Sequence, residues 1–308
     1  MSIKNFFNAV TPGSYERHEF AHGCSNHQLI QKEDVGADWI VDENELPVDG
    51  CLLNKLNSKG LLTYLDFHFL FLLMSTPKRY IETIFHAFDI TADGKVEAKE
   101  FIFILTKIAN FKEDPENLLK MKCSGLVKYL FGEDLNGSVS RADFVNMQKE
   151  LIENILWLEY KHYCPNGKHM TEVDFCRHLL YSSTMTEKKK EHLLRRVAKK
   201  YGKEVGISFD NFKSFYEVLF GGADLERALF LLDKQGRGVT KSEFVKVADF
   251  VGHHNLDVHL VDVIYTLLDE DEDSRLSHKE FQPLLFNWRH SRGFQKESLS
   301  VSVGHLRF

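Results

Sequence analysis

Several things are scarce in this chain, and each scarcity closes a class of function. Five cysteines in 308 residues, with no Cys-x-x-Cys pair, exclude a disulfide scaffold and a zinc module. Basic charge is not in excess. The net charge is −6, so nothing calls for nucleic acid or an anionic membrane surface. Long apolar runs are missing too. The longest, near Phe67 to Met74, is interrupted by His68 and falls well short of the roughly 20 residues of a spanning helix. The first twenty residues set Lys4 and Arg17 against Glu16 and Glu19, which is neither a secretory signal nor an Arg-rich transit peptide. No nucleophile elbow, phosphate-binding Gly-rich loop or kinase signature occurs, so the chain does not read as an enzyme.

What is abundant is phenylalanine, 25 residues against 3 Trp and 10 Tyr. A 43% apolar and 27% charged composition can bury a core. The phenylalanines recur in a phrase: an apolar residue, an acid or amide four positions on, then Phe. It reads Leu62–Asp66–Phe67, Val96–Glu100–Phe101, Val139–Asp143–Phe144, Met170–Asp174–Phe175, Ile207–Asn211–Phe212, Val239–Glu243–Phe244 and Leu276–Glu280–Phe281. The Phe positions step by 34, 43, 31, 37, 32 and 37 residues, the period of helix–loop–helix units of the EF-hand type. Ile81, Ile84, Phe85 and Phe88 precede the second phrase at i, i+3, i+4, i+7. Phe101, Ile104, Leu105 and Ile108 come after it at the same spacing, and Phe281, Leu284, Leu285 and Trp288 repeat it at the last phrase. One apolar stripe per helix makes these aromatics core residues. Pro283 is expected to distort the last helix locally.

An EF-hand loop takes oxygen ligands from positions 1, 3, 5, 7, 9 and 12, with Gly at position 6 for the turn. Two loops satisfy this chemistry. DITADGKVEAKE offers Asp89, Thr91, Asp93, the Lys95 carbonyl, Glu97 and Glu100 around Gly94. Thr91 replaces the usual carboxylate or amide, which weakens the site. DEDEDSRLSHKE offers Asp269, Asp271, Asp273, the Arg275 carbonyl, Ser277 and Glu280, with Ser274 in the glycine position at a modest steric cost. The other five phrases fail. The loop at 132–143 begins with Gly132, and the one ending at Asp66 begins with Lys55. The loop at 233–243 is one residue short, and those at Asp174 and Asn211 lack early carboxylates. They are expected to pair with, or pack beside, a binding hand. The first live loop carries four acids and two bases, the second six acids and two bases. The two thus hold the whole net charge, and the other residues balance at 35 of each sign. Negative charge is concentrated where a dication relieves it.

The expected fold is all-α, EF-hand repeats in two lobes with short β-bridges between paired loops, such as Val239 with Leu276. The expected division is 1–50, a truncated N-terminal segment; 51–176, an N-lobe with the calcium hand 89–100 and a pseudo-hand at 132–143; and 177–308, a C-lobe with a pseudo-hand at 233–243 and the calcium hand 269–280. His253, His254 and His259 read as a helix start rather than a zinc site, and Lys188, Lys189 and Lys190 as a solvated helix face. Arg289 and Arg292 either complement the dipole of the last helix or contact a partner.

At its motifs the chain resembles the mitochondrial calcium uptake family, EF-hand regulators of the mitochondrial calcium uniporter. MSIKNFFNAVTP, KGLLTYLDFHFLFLLMSTPKRY, KYLFGEDLNGSVSRADF and RLSHKEFQPLLFNWRHSRGF are similar to the family's opening segment, the stretch before its first hand, its pseudo-hand, and its last hand with an Arg-x-x-Arg-Gly tail. The resemblance implies Ca2+ as the ligand and a site in the intermembrane space, peripheral to the inner membrane. It also implies dimerisation with itself or a paralogue, association with uniporter channel subunits, and Arg289 and Arg292 near the channel contact. No cysteine occurs after Cys176, so a C-terminal intersubunit disulfide is not expected. A free-standing cytosolic EF-hand sensor or buffer is the alternative, and a regulatory subunit of some enzyme is a further one.

Overall fold

The computed structural model describes residues 52, 55–56, 63–108, 124–164, 169–181, 183, 185–201, 205–220, 222–233, 236–252 and 256–282. The chain forms two compact units, one ending at Glu159 and the next beginning at Tyr160. Both are helical apart from short antiparallel strand pairs.

In the first unit, α1 (Tyr64–Ser75) opens on a reciprocal cap. The Asp66 amide donates to Thr63 Oγ1 at 3.2 Å, and the Thr63 amide donates to Asp66 Oδ2 at 2.7 Å. Asp66 therefore helps to start a helix. It is buried, which pushes its carboxyl above the ordinary range, and Ser124 Oγ donates to its second oxygen at 2.6 Å. The chain leaves α1 through extended Thr76 into Pro77. Gln148 Nε2 donates to the carbonyls of Leu73 and Thr76 at 2.8 and 2.7 Å, satisfying acceptors that a helix end leaves open. Next come α2 (Ile81–Phe88), β1 (Lys95–Glu97), α3 (Ala98–Ile108), α4 (Gly125–Phe131), β2 (Ser138–Ser140) and α5 (Arg141–Tyr163), whose residues from Tyr160 on belong to the second unit. β1 and β2 pair with Val96 opposite Val139, so the live loop 89–100 is joined to the pseudo-hand 132–143. Behind the bridge the rings interlock. Phe69 meets Phe101 edge-on at 4.7 Å, and Phe88 and Phe131 each lie 5.4 Å from Phe101.

The second unit runs through α6 (Glu172–Tyr181), α7 (Glu187–Lys200), α8 (Phe209–Phe220), α9 (Gly222–Leu232), β3 (Val239–Thr240), α10 (Lys241–Gly252), α11 (Val258–Leu268) and β4 (Arg275–Leu276), and residues 278–282 are helical. Val239 lies opposite Leu276, joining pseudo-hand 233–243 to live loop 269–280. Met170 and Ile207 form a separate bridge, with reciprocal backbone bonds of 3.0 and 2.8 Å. The Tyr160 hydroxyl seals it by donating to the Ile207 carbonyl at 2.8 Å. Two of the five inactive phrases thus pair with each other and not with a live loop. The same bridge ties residues 170–176 to the start of α8, so the division falls after Glu159 and not between 176 and 177.

Six of the seven repeat phenylalanines (101, 144, 175, 212, 244 and 281) are at most 2% exposed. The exception is Phe67, which is partly buried. Phe69, two residues on, takes the core position.

Candidate metal centres

Loop 89–100 begins where α2 ends, with the Asp89 amide donating to the Phe85 carbonyl at 3.0 Å. Gly94 turns the loop at φ +82°, and a side-chain carbon there would meet nothing within 4 Å. The turn aims the amides of Asp93 and Gly94 at Asp89, at 3.1 and 3.0 Å. Asp93 Oδ1 accepts from the Lys95 amide at 2.9 Å. Glu100, buried at the start of α3, accepts from the Thr91 amide and hydroxyl (2.9 and 3.0 Å) on one oxygen and from the Glu97 amide (3.0 Å) on the other. Burial pushes the Glu100 carboxyl up, and the Glu97 and Thr91 hydrogen bonds outweigh it, leaving the group below its ordinary value. Asp89 and Glu100 thus face inward on a hydrogen-bonded frame, while Glu97 is exposed.

Loop 269–280 repeats the frame. Asp269 ends α11, with its amide on the Tyr265 carbonyl at 2.9 Å. Asp269 Oδ2 accepts from the Ser274 amide at 2.9 Å, and Asp273 Oδ1 from the Arg275 amide at 2.7 Å. Glu280 accepts from the Glu270 amide (2.9 Å) on one oxygen and from the Ser277 amide and hydroxyl (2.8 and 2.7 Å) on the other. Ser274 adopts φ +64°, the left-handed turn expected where glycine is usual. One carboxylate oxygen from each of Asp269, Asp271 and Asp273 lies within 4.8 Å of the others. Asp269 Oδ1 is buried with no donor. Burial, and then the charges of Asp273 and Glu280, hold the Asp269 carboxyl above its ordinary value. Converging hard oxygens, one of them buried without a proton donor, fit a hard dication.

The inactive partner of this loop shows what failure looks like. Asp233 spends one oxygen on the Gly238 amide and the other on the His278 amide across the bridge, each at 2.9 Å. Glu243 accepts from the Thr240 amide and hydroxyl, and Arg237 approaches its other oxygen at 3.4 Å. The Arg237 guanidinium is thus the cation that faces Glu243. Arg275 extends its side chain toward the carbonyls of Arg237 and Gly238, away from the loop's carboxylates.

Two side-chain clusters differ from expectation. Lys188–Lys190 is not simply solvated: Lys189 Nζ reaches Glu270, the second residue of the live loop, at 2.6 Å, and Lys190 pairs with Glu187. His259 does more than begin a helix. Its Nε2 lies 2.8 Å from Oε1 of Glu172, which is 1% exposed and also accepts from the Gly206 amide. Burial pushes the Glu172 carboxyl up, and the Gly206 amide and His259 together bring it below its ordinary value. These contacts cross 81 and 87 residues of sequence, so local spacing carried no signal for them. His253, His254, Pro283, Trp288, Arg289 and Arg292 lie outside the described residues.

No family model matches the chain. The human "Calcium uptake protein 1, mitochondrial" is 28% identical over 306 residues, covering 96% of this chain and 63% of that protein. The Caenorhabditis elegans homologue is 31% identical over 258 residues, covering 79% of this chain and 48% of its own length. The chain therefore spans less than two thirds of the curated relatives it matches. Among solved structures, EFHA2 in its apo state superposes with a TM-score of 0.67 at 26% identity, over 78% of this chain and 77% of that one. EFHA2 in its calcium-binding state gives 0.64 at 25% identity, over 75% and 76%. With the EF-hand frame of the two loops, these likenesses bear out the resemblance read from the motifs: the chain is a relative of the mitochondrial calcium uptake proteins.

Proposed function

We propose that this chain is a calcium-sensing regulatory subunit of the mitochondrial calcium uniporter. The observation that carries the calcium part is the set of three converging carboxylates at Asp269, Asp271 and Asp273, with a buried oxygen lacking a donor. Loop 269–280 is the stronger site. Loop 89–100 is a second, weaker one, since Thr91 spends its hydroxyl on Glu100. The likeness over 96% of the chain to proteins named for mitochondrial calcium uptake favours a uniporter regulator over a free-standing cytosolic sensor. Among the described residues no helix is long and apolar enough to cross a membrane, which suits a peripheral protein of the intermembrane space. The chain acts by binding and not by catalysis. It dimerises with itself or a paralogue and meets the channel assembly through Arg289 and Arg292.

Calcium supplies a charge that draws the loop oxygens together and swings the helices leaving the loops at Phe101 and Phe281. The test has two arms. Calorimetry should show about two ions per chain, with dissociation constants of roughly 10⁻⁷–10⁻⁵ M. Glu100→Lys and Glu280→Lys should each remove one ion. In cells lacking the native regulator, Glu280→Lys should keep mitochondrial calcium uptake suppressed at high calcium. Unchanged stoichiometry in both variants overturns the site assignment. Failure to co-purify with channel subunits overturns the uniporter assignment.

A further inference from the structure

A separate concentration of charge lies beside loop 269–280. α7 holds seven basic residues against two acidic ones in 14 positions. Lys189, Lys190 and Arg195 are answered by Glu270, Glu187 and Glu191. Arg196, Lys199 and Lys200 instead line a cleft of about 450 Å³, together with Lys241 from the first turn of α10. That volume is typical of small-molecule sites.

The cations there are short of carboxylates. Lys200 and Lys241 share one carboxylate, Asp262, which also accepts from the Tyr201 hydroxyl. Arg196 donates from Nη2 to the Leu267 carbonyl at 2.8 Å, and its Nε is buried with no acceptor. Lys199 makes no ion pair among the described residues and is exposed. Against these four positive charges stand Asp262 and, from the live loop, Asp269 and Glu272. The balance is one positive charge in excess. A dication on the loop neutralises Asp269 and increases that excess.

We propose that this cleft binds a phosphate group, and that filling loop 269–280 tightens it. Several independent cationic donors suit the oxygens of a phosphate better than the two of a lone carboxylate. The coupling rests on calcium binding at loop 269–280; the anion site does not. By linkage the phosphate compound must raise calcium affinity by the same factor. A soluble phosphomonoester and a phospholipid headgroup present the same chemistry.

The experiment titrates glycerol 3-phosphate into the full chain by calorimetry, in chelator and at saturating buffered calcium. In parallel, phosphatidylcholine vesicles with and without phosphatidic acid are sedimented with the protein. Binding should be measurable in chelator and about fivefold tighter with calcium. Lys199→Glu changes an exposed residue outside the Asp262 network. It should weaken anion binding about tenfold and leave the calcium stoichiometry intact. Response to glycerol 3-phosphate supports a soluble ligand, and sedimentation only with phosphatidic acid supports a headgroup. Failure of both probes in both calcium states overturns the proposal, as does binding that Lys199→Glu leaves unchanged. Anion binding that persists while no calcium titrates at loop 269–280 refutes the calcium reading instead and leaves the anion site standing.

Discussion

Position 6 of the two live loops offers a controlled perturbation, because the loops share a backbone and differ in the residue that adopts it. Ser274 sits at φ +64° and Gly94 at φ +82°. A left-handed conformation costs an L-residue with a side chain about 1–2 kcal/mol. Glycine avoids this cost but loses about 0.4–1 kcal/mol through the greater freedom of its unfolded chain. Ser274→Gly should therefore stabilise the second unit by about 0.5–1 kcal/mol, net of the two effects. No contact is lost. The Ser274 hydroxyl makes no hydrogen bond among the described residues, and its amide bond to Asp269 belongs to the backbone. Gly94→Ala should cost the first unit a similar amount, and only as backbone strain, since an added carbon meets nothing within 4 Å. At a few degrees per kcal/mol, the melting transitions should shift by about 1–4 °C in opposite directions. The assay is thermal unfolding by circular dichroism in chelator. A lowered transition in Ser274→Gly, or a raised one in Gly94→Ala, would refute the reasoning.

Asp269→Asn should raise the melting temperature of the calcium-free protein at neutral pH while abolishing the ion at that loop. Its carboxyl is held above the ordinary value, so the fold disfavours its charged form, and acidification should shrink the advantage of the variant as wild-type Asp269 becomes protonated. Glu100 behaves oppositely. Its carboxyl is held low, so its stabilisation is complete above the ordinary carboxylate pKa and is lost as pH falls through the folded value; Glu100→Gln should destabilise the chelated protein at pH 7 and less so in acid, by pH-dependent melting. Saturating calcium at about 1,000 times the dissociation constant should add about 4 kcal/mol to the unit that binds it, and chelation should remove this in a calorimetric scan. Phe101→Ala should cost about 3–5 kcal/mol, measured by urea unfolding, because Phe101 is buried against Phe69, Phe88 and Phe131.

The geometry of the two acidic loops was legible in sequence because it is local. Twelve residues carry both the donors and the turn, so DEDEDSRLSHKE announces Asp269, Asp271 and Asp273 without knowledge of the rest of the chain. The core was legible for a similar reason. A helix turns at a fixed 3.6 residues, and the Phe just after position 12 falls on its buried face in six of seven phrases. The pairing of Val96 with Val139 and of Val239 with Leu276 comes from adjacency, since neighbouring hands close their loops against each other. Tertiary contact decided the remainder. Asp66 has the same sequence context as the closing acids and its cap with Thr63 is local, but the bond it accepts from Ser124, 58 residues away, is set by tertiary packing. The bridge between Met170 and Ile207 places 160–176 with the second unit, because two inactive loops can satisfy each other's backbone groups without a live neighbour. The basic residues of α7 look solvated until α11 and the live loop bring Asp262, Glu270 and the cleft against them. Such contacts depend on which helix faces pack together, and that is set by the burial of side chains far apart in sequence rather than by any local spacing.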